Sequence, residues 1–133
     1  MKHGQLEKKE AFSIIELLVI LLVLGILVLI SAPNMMRARM MANDSNAQST
    51  LRTLAEATKM YSVNTGSMPS NVSDLMKTSN AYIKEDYCGT TDNGFTFSCT
   101  FGSDSYLFAA VPVNLGITGT TSYTMTTGGV MRP

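Results

Sequence analysis

Residues Phe12 to Ala32 (FSIIELLVILLVLGILVLISA) form an apolar run of 21 residues with one carboxylate, Glu16, inside it. As a helix that run measures about 31 Å, enough to cross the hydrocarbon core of a bilayer. A lone acid in such a segment costs several kcal/mol unless something pairs with it. The chain must therefore hide one long apolar surface and provide for one acid. About 100 residues follow the run, enough for one small domain.

The 133-residue chain balances 10 basic against 10 acidic side chains. It carries no polybasic patch, so nucleic acid is not an expected partner. The single histidine is His3, and no HExxH, GxSxG or phosphate-binding loop occurs. Without such a constellation neither an enzyme nor a cofactor or metal site is expected. Cys88 and Cys99 stand in a polar Gly/Thr/Ser-rich region beyond the apolar run. They read as one disulfide in an oxidising compartment, with two free buried thiols as the alternative. Closing so short a loop contributes roughly 2–3 kcal/mol.

Lys2, Lys8 and Lys9 precede the apolar run. Their charge keeps the first residues cytoplasmic and directs the rest outward. An ordinary secretory signal has a shorter apolar core with a small-residue cleavage site after it. Here the small residue, Ala11, stands before the run.

The stretch Ala11-Phe12-Ser13-Ile14-Ile15-Glu16-Leu17-Leu18 resembles the class III signal of type IV prepilins and type II secretion pseudopilins. Gly25 and Pro33 occupy places where that family often has a helix-loosening Gly and a Pro, and Ala11 stands where it most often has Gly. The resemblance implies a leader over residues 1–11, cut on the cytoplasmic side before Phe12 by a prepilin peptidase that then methylates the new N-terminus. It implies a transmembrane and filament-core helix over 12–33 and a periplasmic or extracellular globular domain over 34–133. As implied partners it brings copies of the same chain, an inner-membrane assembly platform and, for the monomer, the membrane itself.

The residues support these roles physically. On one helix Glu16 and an amine at Phe12 lie about 6 Å apart along the axis. Between staggered copies, Glu16 of one chain can meet the Phe12 amine of another. Leaving one partner unpaired would cost about 3–5 kcal/mol, so the pairing favours correct register; snorkelling to lipid headgroups is the competing reading. Pro33 lacks an N–H and opposes the carbonyl of Leu29. Gly25 is a poor helix former, so the helix can bend or locally unwind between the two.

The expected function is a subunit of a type IV pilus-like surface filament, held singly in the inner membrane before assembly. The alternative is a pseudopilin of a type II secretion system, working in the periplasm, or a minor pilin. The major pseudopilin usually carries a calcium-binding, Pro-Trp-Gly-like tract, and this chain has no Trp.

Beyond Pro33, Ala47, Leu51, Leu54, Thr58 and Tyr61 recur at helical spacing, while Arg52, Glu56 and Lys59 lie off that stripe. This predicts an amphipathic helix to about Asn64. Gly66 and Pro69 end it, and a short helix is expected over 72–77. Phe95, Phe97, Cys99 and Phe101 alternate with Thr96, Ser98 and Thr100, the period of a half-buried strand. A turn over 102–104 leads to a second strand over 106–111, whose end Pro112 demotes to an edge. Strands over 122–126 and 130–132 flank Thr127-Gly128-Gly129, a hairpin signal. The expected fold is α+β, a long helix laid on a small antiparallel sheet. Segment 116–121 is expected as a flexible loop and, with 88–93, as a candidate exposed surface. Asn43-Asp44-Ser45 and Asn71-Val72-Ser73 match the N-glycosylation pattern, a match common by chance.

Overall fold

The computed structural model describes residues 11–77 and 81–133. The leader expected over 1–11 lies, except for Ala11, outside the described residues. The elements in chain order are α1 (Ile14–Thr65), α2 (Val72–Met76), β1 (Thr91–Asp92), β2 (Phe95–Phe101), β3 (Tyr106–Pro112), β4 (Tyr123–Thr126) and β5 (Val130–Arg132). The chain divides into two compact units, Met1–Met35 and Met36–Pro133.

In the second unit the strands form one antiparallel meander in the order β1-β2-β3-β4-β5. The period of two in β2 sends Phe95 and Phe97 inward and leaves Thr96, Ser98 and Thr100 outside. The partner register places Phe108 opposite Cys99 and Met125 opposite Phe108, so one face collects the apolar side chains. Against that face lies the predicted stripe of α1, with Ala47, Leu51, Leu54 and Thr58 all buried. Phe95, Phe108, Leu51, Leu54 and Leu75 are fully enclosed. Burial of each such side chain contributes about 1.5–3 kcal/mol. Thr58, the polar member of the stripe, donates its hydroxyl to the carbonyl of Leu54 at 2.8 Å.

Local chemistry bounds both helices, and Gly66 ends α1 as expected. Gly66 adopts φ 76° just past α1, and its N–H bonds the carbonyl of Ser62 at 2.9 Å. This left-handed residue at a helix end suits glycine. Asn71 caps α2 by accepting from the Asp74 N–H at 3.1 Å, and Asp74 reaches back to the N–H of Ser70 at 3.0 Å. That reciprocal arrangement has the logic of a capping box. Lys77 pairs with Asp74 at 2.8 Å, and this hydrogen-bonded ammonium, with the Ser70 amide, holds the Asp74 carboxyl below its usual range.

Cys88 and Cys99 are disulfide-bonded, with Cα atoms 5.5 Å apart. The Pro112 expectation also holds. Val113 N–H bonds Gly94 on the β2 side, so by alternation Pro112 turns its nitrogen to the other side, where β4 pairs β3 only from Leu107 to Ala110.

Residues 89–93 are exposed, as expected, and include a short strand that was not anticipated, Thr91 and Asp92 pairing back onto Thr96 and Phe95. Asn93 (φ 47°) and Gly94 (φ 77°) make the turn, both left-handed as a type I′ hairpin requires. Segment 116–121 is tied down rather than free. Thr120 donates to Asp44 through its N–H at 3.0 Å and its hydroxyl at 2.6 Å. Asn43 donates its side-chain amide to the carbonyl of Thr118 at 2.8 Å. Gly119 is buried against the ring of Phe95, which leaves no room for a Cβ.

Candidate functional site

The candidate site is the apolar stretch of α1 with its acid. Ser13 supplies the first carbonyl of the helix, accepting from the N–H of Leu17 at 3.1 Å. Glu16 therefore sits in the first turn, where a carboxylate gains from the helix dipole by about 0.3–1 kcal/mol. That is several-fold smaller than the cost of an unpaired acid in an apolar surround. The helix terminus by itself does not make Glu16 at home in lipid or in a dry core.

α1 is long and apolar enough to cross a membrane, and no residue of its most apolar window is buried within the chain. Every large apolar side chain from Phe12 to Ile30 is exposed, with Ile14 at 85 % and Ile20, the least, at 43 %. At about 1.5–3 kcal/mol for each side chain removed from water, the unsatisfied burial in this segment reaches tens of kcal/mol. Something other than this chain has to cover it.

α1 runs through Gly25 and Pro33 without a break in its helical conformation. No atoms outside the helix backbone approach the position a Cβ would take at Gly25. Around Pro33, Ser31 donates its hydroxyl to the carbonyl of Leu27 at 2.8 Å, and Asn34 reaches the carbonyl of Ile30 at 3.5 Å. Polar side chains thus bond carbonyls within two residues of Leu29, whose helical donor Pro33 removes.

The residues singled out in the sequence fall into separate groups. Ala11, Phe12, Glu16, Gly25 and Pro33 lie in the first unit, and Cys88 and Cys99 cross-link the second. Asp44 was missed. It continues the core stripe one step N-terminal to Ala47 and is 7 % exposed. A carboxylate on a buried helical stripe needs partners, and that spacing was the available signal.

No protein-family model matches the chain. Over 107 residues the chain is 26% identical to the type IV wide pilus major component PilA4 of Thermus thermophilus. The similarity spans 77% of this chain and 82% of that protein.

Proposed function

We propose that this chain, similar in sequence to a type IV pilus component and built as a helix on an antiparallel sheet, is a structural subunit of a type IV pilus-like filament. The observation that carries the reading is the uncovered apolar surface from Phe12 to Ile30, on a chain whose second unit has a complete core of its own. A surface of Leu, Ile and Val all round suits lipid and suits packing against copies of itself. A subunit that leaves a membrane for a polymer needs both.

In this reading the precursor sits in the inner membrane through residues 12–33. It is cleaved between Ala11 and Phe12, and the new amine is methylated. In the polymer Glu16 of one copy faces the Phe12 amine of another, which removes two isolated charges at once. Gly25 and Pro33 are the points where α1 yields on assembly. The second unit is exported and held in part by the Cys88–Cys99 bond, which suits an oxidising compartment.

Mass spectrometry of the N-terminal peptide in sheared, high-molecular-weight surface material tests the proposal. A peptide beginning at N-methylated Phe12 is expected. Processed protein confined to the inner membrane would instead support a pseudopilin or minor-subunit role. An intact Met1 in all fractions would overturn the assembly reading.

A further inference from the structure

The loop from Val113 to Thr121 displays two aliphatic side chains to water on a rigid support. Leu115 is 70% exposed and Ile117 61%. Beneath them Gly116 N–H bonds Gly119 at 2.8 Å, and Thr118 N–H bonds Asn114 at 2.9 Å. Asn114 N–H is returned to the Thr118 hydroxyl at 3.1 Å. The loop is clasped to α1 through Thr118 and Thr120. A tip held this firmly loses little conformational freedom on docking.

The same unit carries a half-open groove of ≈ 360 Å³ whose lining includes Ala55, Lys59 and Ser62 of α1, Met68, Tyr106 and the Gly128–Gly129 turn. Its size suits two aliphatic side chains. The tip is fastened to α1 at Asp44, whereas the groove lies beside Glu56 to Ser62. Fifteen residues of helix separate those levels, about 22 Å, so a tip cannot enter its own groove.

We infer that the Leu115–Ile117 tip seats in this groove of a second copy of the chain, displaced along the helix direction. The inference rests on the filament reading above. Tip and groove are different parts of one surface, so the contact repeats from copy to copy instead of closing into a dimer. Its small area selects the occupant. Two side chains bury far less than the roughly 1,200–2,000 Å² of a stable free-standing interface, too little to hold an independent protein. Copies already gathered by their apolar helices meet at high effective concentration, and there a contact this small is enough to set register.

The test uses the full chain in cells that produce the surface material, carrying Ile117→Cys together with Ser62→Cys. Mild oxidation of sheared filaments is expected to give a ladder of covalent multimers on a non-reducing denaturing gel. Either single variant, and the double variant as detergent-dispersed monomer, gives none. Filaments without a ladder overturn the inference while the filament reading stands. Failure of the unaltered chain to form any filament overturns that reading and the inference with it. Should the cysteine pair block assembly, Ile117→Ser decides: at least a fivefold loss of filament yield at unchanged chain level is expected, and an unaltered yield refutes the docking. If Ile117→Cys is shielded from a water-soluble maleimide in the membrane-resident chain and reactive in the filament, the tip rests on lipid and the inference is wrong.

Discussion

Asp44→Ala should unfasten the second unit at one end without touching its apolar core. The carboxylate accepts from the N–H of Thr120 at 3.0 Å and from its hydroxyl at 2.6 Å. Hydrogen bonds to a charged group contribute about 1.5–3 kcal/mol each. Thr120 is exposed, so both donors regain water when the carboxylate is removed, and the lower end applies. The expected loss is about 2–3 kcal/mol. Thr120→Val removes only the hydroxyl bond and should cost about half as much, with a coupling energy of about 1 kcal/mol in the double-mutant cycle. For a domain of about a hundred residues each kcal/mol moves Tm by roughly 4–8 °C, so Asp44→Ala should lower it by about 8–24 °C. Circular dichroism of Met36–Pro133 against temperature and urea provides the assay, with an unchanged urea m-value showing that the same surface unfolds. A fall in Tm under about 2 °C would refute the clasp as a source of stability.

Gly119→Ala places a methyl group into the ring of buried Phe95. It should cost about 1–3 kcal/mol as overpacking, read in the same melts. Reducing Cys88–Cys99, or replacing both by Ala, should cost about 2–3 kcal/mol through the entropy of an 11-residue separation in the unfolded chain; urea midpoints with and without reductant measure it. Glu16→Ala should leave membrane insertion intact and abolish sheared filaments, and normal filaments from this variant would remove the pairing role. Asp74 has a folded pKa below its unfolded value because of Lys77 and Ser70. Its contribution is present above the unfolded pKa and disappears as pH falls through the folded one. The stability difference between the unaltered chain and Asp74→Asn should therefore be present at neutral pH and vanish in strong acid.

Elements with a clean period were legible in the sequence. The stripe from Ala47 to Tyr61 and the alternation of β2 each announce which face is buried, and the structure buries those faces. β1 was not anticipated: Asn93-Gly94 is a hairpin signal, but two residues of strand give no period to read. The clasp was harder. Asp44 and Thr120 lie 76 residues apart, and no local pattern links a helix carboxylate to a loop hydroxyl. Segment 116–121 looks mobile by composition because Gly and Thr are the residues that close approach and side-chain bonding require there. Of the candidate site, the apolar run and Glu16 were plain from composition, because what covers them lies outside the chain.

The distance in sequence between the clasp's two halves also orders events in time. Chains are made from the N-terminus, and contacts far apart in sequence must wait for their later member. The Cys88–Cys99 link and the hairpin it encloses need only local chain. The stripe on α1 can shed water against β2 and β3 once Pro112 is available, but Asp44 has no acceptor role to fill until Thr120 follows. A nascent chain stopped at Pro112 would thus carry a carboxylate at the margin of its core with nothing to receive. The stretch after Pro112 works as a completion signal, and chains cut short of it should be the ones that proteases find.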